Sequence, residues 1–192
     1  MMASIIKANQ LQDFGGNSII TSDGSGTITL SSGMNTAVQS AGATSTPSFF
    51  AFLSSDSSVV SDATWTKVQI DSELFDTDNC YDNSSNYRFT PTTAGKYKVE
   101  YGITFNPFAS DDVSEALLGV YKNGSLFIQP GMAFGSHPIT SVSITGSQII
   151  DFNGSSDYIE LYGYFNEVSA GGAKFNSYKR SCYLGASRII GA

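Results

Sequence analysis

The sequence predicts an all-β protein folded as a sandwich or jelly roll, and three observations carry that prediction. Aromatic residues are abundant, with 13 Phe and 10 Tyr, while charged residues make up only 14% of the 192 residues. The dense Glu, Lys and Arg of long surface helices are therefore missing. Apolar residues alternate at period two in several runs, the pattern of half-buried strands. Turn signals recur roughly every ten residues, as in sandwiches with many short strands.

Residues 1–46 read as a short β-rich segment of their own, and residues 47–192 as the sandwich domain. Apolar residues in the first segment are sparse: Ile5, Ile6, Leu11, Phe14, Ile19, Ile20, Ile28, Leu30, Met34 and Val38. Gly15-Gly16-Asn17 and Asp23-Gly24-Ser25-Gly26 interrupt them as turns. Ser18–Thr21 and Thr27–Leu30 are expected to pair as a hairpin. So small a segment cannot bury enough surface alone, so it is expected to attach to a partner or to copies of itself. Ile5, Ile6, Leu11, Phe14, Ile19, Ile20, Ile28 and Leu30 are the expected anchoring residues. A Ser, Gly, Ala and Thr stretch ending at Pro47 reads as a linker.

The pattern is denser beyond Pro47. Phe49–Leu53 is expected to be a buried strand. In Thr64–Ile70, Trp65, Lys67 and Gln69 share one side and Thr66, Val68 and Ile70 the other. Tyr97, Val99, Tyr101, Ile103 and Phe105 form the apolar face of a half-buried strand. Leu117–Tyr121 and Leu126–Ile128 flank Asn123-Gly124, the strongest short hairpin signal. Further strands are expected at Val142–Ile144, Ile149–Phe152, Tyr158–Phe165 and Cys182–Ile190. Ser110–Glu115 is a helix candidate, too short to matter.

Three stretches, taken in order and spacing, resemble the C1q/TNF-like jelly-roll family. They are Tyr87-Arg88-Phe89 through Gly95-Lys96-Tyr97-Lys98-Val99-Glu100-Tyr101, then Val120-Tyr121-Lys122-Asn123-Gly124, then Gly154–Leu161 followed by Ser181-Cys182-Tyr183-Leu184-Gly185. The closing strand departs from the family's aromatic-Ser-Gly-aromatic pattern. The resemblance spans residues 49–190 and implies a sandwich that trimerises about its inner sheet. On Tyr158–Phe165, Ile159, Leu161, Gly163 and Phe165 suit the core, whereas Tyr158, Glu160, Tyr162 and Tyr164 face outward. Tyrosines in such a position have the composition of an interface. With Tyr183 of the closing strand, Tyr158, Tyr162 and Tyr164 are the expected trimer contacts; a ladder of exposed cross-strand aromatics is the alternative. Separately, Ala3–Asn17 resembles leader segments of structural proteins from marine phages.

Several chemistries find no support. His137 is the only histidine, so any Ser-His-Asp or Cys-His arrangement would have to use it, and no nucleophile turn lies nearby. No catalytic residue, cofactor or metal site is expected. Asp71, Glu73, Asp76, Asp78 and Asp82 cluster in sequence, but a loop starting at Asp76 places Cys80 and Tyr81 where an EF-hand needs a ligand and a Gly. Cys80 and Cys182 are the only cysteines; a bridge between them is left open, as is calcium binding. A net charge of −7 disfavours nucleic acid, and no run of apolar residues is long enough to insert in a membrane. The start, Met1–Lys7, lacks the apolar stretch of a secretion signal.

The expected function is therefore that of a non-enzymatic phage virion protein, made in the host cytoplasm: a homotrimer acting as a capsid decoration or a short fibre. Its partners would be itself and other capsid or tail proteins, bound through residues 1–46. The alternative is an adhesin-like receptor-binding module that recognises a glycan or protein of the host surface, with Tyr81 beside Asp82 and Asn83 as the candidate sugar site.

Overall fold

A computed structural model describes residues 10–25, 27–34, 45–107, 113–133, 139–167 and 172–190. The expectations for Ile5, Ile6, Val38, His137 and most of the linker lie outside these residues. The chain divides into two compact units, Met1–Thr44 and Ser45–Ala192.

In the first unit, β1 (Gln10–Gln12), β2 (Ser18–Ser22) and β3 (Ile28–Leu30) form an antiparallel sheet in that order. The expected hairpin is present as β2 and β3, with Ile20 opposite Leu30. Asp residues close both turns. Asp13 Oδ1 accepts from Asn17 N at 2.8 Å, and Asp23 Oδ1 from Ser25 N at 2.8 Å. The Ser25 and Thr27 hydrogen bonds hold the Asp23 carboxyl down at about 2. Leu11 stands opposite Ile20 on the other side. Paired residues share a face, so Leu11, Ile20 and Leu30 make one apolar row across the sheet, with Ile28 beside it. Gln10, Thr21 and Thr29 occupy the opposite face, with Ile19.

The second unit holds two antiparallel sheets among the described residues. Its strands are β4 (Ser48–Phe52), β5 (Thr66–Lys67), β6 (Ser72–Asp76), β7 (Tyr81–Asp82), β8 (Arg88–Phe89), β9 (Gly95–Pro107), β10 (Val113–Lys122), β11 (Ser125–Ile128), β12 (Gly131–Ala133), β13 (Val142–Phe152), β14 (Ile159–Glu167), β15 (Ala173–Phe175) and β16 (Tyr183–Arg188). The six-stranded sheet runs β13-β9-β16-β4-β6, with β15 also on β9. The seven-stranded sheet runs β11-β10-β14-β8-β7, with β12 on β10 and β5 on β14.

Apolar side chains from the inner faces of both sheets fill the space between them. Tyr97, Val99, Ile103 and Phe105 are fully buried, as expected from their alternation, and so are Ile159, Leu161 and Phe165 opposite. Phe49 stacks on Tyr81 and Phe89, with ring centroids at 4.8 and 4.4 Å. The fold is thus a jelly-roll β-sandwich. Asn123 and Gly124 both take positive φ, 53° and 78°, so the β10–β11 hairpin closes with the two-residue turn their sequence predicts.

Three local expectations need correction, and the bridge left open between Cys80 and Cys182 is absent. Val142–Ile144 and Ile149–Phe152 are one eleven-residue strand, because Gly146 pairs with Tyr101 and lets its ring lie against the backbone instead of breaking the strand. Val113–Glu115, expected in a short helix, begin β10, where Glu115 pairs with Ala133 and Asn166. Phe49–Leu53 is not buried throughout; Phe49, Ala51 and Leu53 point inward while Phe50 and Phe52 stay half-exposed. Cys80 and Cys182 are both buried and free, and burial raises the Cys182 thiol to about 11.

Candidate functional site: two aromatic faces

The outer face of the seven-stranded sheet gathers aromatic rings from two strands and the segment preceding β5. Along β14, Glu160, Tyr162 and Tyr164 point outward, each matched on β10 by Tyr121, Gly119 and Leu117. Trp65 reaches across to Gly119. A methyl group there would come within 2.8 Å of the indole and 3.0 Å of the Tyr121 ring, so only glycine leaves room for both. The Trp65 ring lies 5.9 Å from Tyr121 and 5.5 Å from Tyr164, and Tyr121 lies 4.1 Å from Tyr162. All four rings are half-buried.

Beside this strip runs an ion pair. Lys67 Nζ donates to Glu160 Oε1 at 2.6 Å and to the Asn86 carbonyl at 3.2 Å, and it stands 5.7 Å from the Tyr162 ring centroid. Glu160 is 6% exposed, so the pair is shielded on its acidic side. Burial, then the Glu160 charge, raises the Tyr162 hydroxyl above its ordinary value. Tyr158 sits beyond the end of β14, under the Arg88 guanidinium at 4.5 Å.

The outer face of the six-stranded sheet is different in character. Register places Phe50 opposite Phe75 and Gly185, and Tyr183 opposite Phe52 and Gly102. Phe50 stacks on Tyr183 at 5.5 Å with 18° between planes. Arg180 lies 4.5 Å from the Phe52 ring. Phe75 is 45% exposed, and it lines, with Phe50, Lys98, Glu100, Gly185 and Ser187, a hollow of about 320 Å³. Lys98 and Glu100 pair with each other at its rim.

The four tyrosines expected at a trimer contact are therefore divided. Tyr158, Tyr162 and Tyr164 lie on the seven-stranded sheet, and Tyr183 lies on the other. Sequence reading missed Trp65, Tyr121, Phe50, Phe52 and Phe75 as members of these faces. The outward side of Trp65 was legible from its alternation with Val68 and Ile70, but its neighbours come from strands distant in sequence. The expected sugar residue Tyr81 is buried; its hydroxyl donates to the Ile70 carbonyl at 3.0 Å and its amide to Asp76 Oδ2 at 2.8 Å.

The acidic segment is spent on local hydrogen bonds. Asp71 accepts from Ser54 N and Oγ, Asp76 from Tyr81 N, and Asp82 from the amides of Ser84, Ser85 and Asn86. Those amides hold the Asp82 carboxyl far below the usual carboxylate range. Among the described residues, no three His, Cys, Asp or Glu side chains come together as a metal site. Of the residues expected to anchor, among those described, Leu11, Phe14 and Ile28 are exposed, and Ile19, Ile20 and Leu30 half-buried.

This fold resembles murine APRIL. The structure of that protein at pH 8.0 aligns with 11% identity and a TM-score of 0.54, over 74% of this chain and 98% of that one. The pH 8.5 structure gives 12%, 0.52, 74% and 99%. The globular domain of zebrafish complement 1qA protein aligns at 10% identity, with a TM-score of 0.45 over 74% of this chain and 96% of that one. The likeness to APRIL is one of fold and makes the sandwich a TNF/C1q-like jelly roll. No protein-family model and no curated protein matches the sequence.

Proposed function

We propose that the protein is a non-enzymatic structural component of a virus particle, a homotrimer displayed as a capsid decoration or short fibre. Residues 1–46 serve as its attachment segment. The observation that carries self-association is the phenylalanine face of the six-stranded sheet. Phe50, Phe52 and Phe75 have no polar atom to offer water, unlike the tyrosines of the other face. A cluster of such rings on an outer sheet surface is stabilised when protein covers it. A second copy supplies that cover, and a rotation that closes after three copies leaves no face unsatisfied. The attachment role rests on the partly exposed apolar row of Leu11, Ile20, Leu30 and Ile28. Three strands with one apolar face need a further layer to be stable. The virion setting is supported by the resemblance of Ala3–Asn17 to phage structural leaders.

Sedimentation of the full chain at micromolar concentration tests the trimer. The parent should run at three times the chain mass and Phe75→Asp at one. A monomeric parent would remove the proposal. If Tyr162→Asp dissociates the protein while Phe75→Asp does not, the contact belongs to the seven-stranded sheet instead.

A further inference from the structure

We propose that the Trp65 strip of the seven-stranded sheet and the groove beside it bind a neutral oligosaccharide. The aromatic side of the argument is geometric. Tyr164, Trp65, Tyr121 and Tyr162 form a continuous row of rings across β14 and β10, at centroid spacings of 5.5, 5.9 and 4.1 Å. Every ring carries an O–H or N–H at its edge. A pyranose presents an apolar C–H face with hydroxyls at its rim, so it can lie on such rings and hydrogen-bond at their edges.

The polar side follows the same segment. Trp65, Lys67 and Gln69 alternate outward, so the chain that supplies the indole also leads away from the strip. Thr66, Lys67 and Gln69 line a hollow of about 290 Å³ together with Ser57 and Ser58. Ser57, Ser58 and Gln69 also line a second hollow of about 200 Å³, bounded by Asp56, Asp71 and Tyr87. Sharing these residues places the two hollows side by side, and together they make the groove. Its hydroxyls and amide offer both donors and acceptors.

Charge selects the ligand. The ion pair beside the strip, Lys67 with Glu160, is closed at 2.6 Å and leaves no net charge for an ionic group. An anionic polymer would meet Asp56 and Asp71 at the far end, whereas an uncharged, hydroxyl-rich chain meets no like charge there. The inference stands apart from the trimer and particle proposals, because the rings it uses lie on the sheet opposite Phe50 and Phe75.

Trp65 is the only tryptophan, so its emission reports this site alone. The full chain is titrated with cellohexaose, chitohexaose, mannohexaose and isomaltohexaose, with calorimetry in parallel. At least one should shift the emission saturably. Tyr164→Ala and Gln69→Ala should each weaken that binding about tenfold, whereas the exposed aromatic variant Tyr178→Ala should bind like the parent. Trp65→Phe, which keeps a ring, should stay within about threefold by calorimetry and guards against a misfolded Trp65→Ala. Sedimentation of the same samples separates a lost site from a lost trimer. No saturable shift with any of the four sugars overturns the proposal. So does parental affinity in both Tyr164→Ala and Gln69→Ala, or tighter binding of hexagalacturonate than of every neutral sugar.

Discussion

The phenol ring of Tyr183 lies on Gly102, its cross-strand partner in β9, and a methyl group at residue 102 would come within 2.9 Å of the ring carbon Cζ. The ring also stacks on Phe50, so its position sets the contour of the phenylalanine face. Gly102→Ala should therefore lift Tyr183 and cost about 1–3 kcal/mol, the usual range for overpacking. Urea unfolding measures this. Tyr183→Ala in the Gly102→Ala background should restore part of the loss, since the two side chains then no longer compete for space. Additive losses would mean that the strain lies elsewhere.

Removing one member of the Lys67–Glu160 pair should do more harm than removing both. Glu160 is buried and its partner is 29% exposed by side chain, so the carboxylate depends on Lys67 for its charge compensation. Lys67→Met should destabilise by about 1–3 kcal/mol, the cost of leaving a buried polar group unmatched. Lys67→Met with Glu160→Leu should recover most of that. Chemical denaturation of the three proteins decides it, and a double variant weaker than Lys67→Met would contradict the role given to the pair.

Asp157 should make the protein sensitive to acid. Its carboxylate accepts from Asn123 Nδ2 at 2.8 Å and Asn153 N at 3.0 Å, and Lys122 Nζ stands 3.0 Å away. These partners, Asn123 first, hold its pKa below the ordinary 3.8. A carboxyl with a depressed folded value favours the native state above the unfolded value, and that contribution fades as pH falls toward the folded one. The melting temperature should thus decline below about pH 4. Asp157→Asn should melt lower than the parent at pH 7, with the gap narrowing in acid. A constant gap would assign the effect to something other than ionisation.

A protein starting at Ser45 should fold and lose only attachment. The cut keeps Pro47, whose carbonyl accepts from Arg188 N at 3.3 Å, and Ser48, which pairs with Ser187 in β16. It should show the parent's melting temperature within a few degrees and remain trimeric by sedimentation. Incubated with particles that lack the protein, it should stay in the supernatant after pelleting. Co-pelleting with the particles would move the anchor into the jelly roll.

The legible parts of this fold are those in which a residue's neighbours in space are also its neighbours in sequence. Tyr97 to Phe105, Ile159 to Phe165 and the Asn123-Gly124 turn follow from local alternation and turn chemistry. Strand assignment across long separations does not. Tyr183 pairs with Gly102 and with Phe52, residues some eighty and more than a hundred positions earlier, so nothing near Tyr183 announced which sheet it would join. The strand through Gly146 read as two pieces, because its partner strand, with Tyr101 opposite Gly146, lies far off in sequence. Tyr81 read as exposed because polar residues surround it in sequence, while Ile70 and Asp76 capture its polar atoms in the fold. Among the site residues, the outward setting of Tyr162 and Tyr164 was legible, but the indole crossing between them and Gly119 was not.

The pairing of a ring with the glycine beneath it, at Tyr183 on Gly102, Phe50 on Gly185 and Trp65 on Gly119, ties distant positions into single units of inheritance. A lineage that loses the ring frees the glycine to become alanine or serine, whereas one that substitutes the glycine first meets a collision. Drift should therefore follow an order, aromatic before glycine, and positions 102 and 183 should change together among descendants of this sequence.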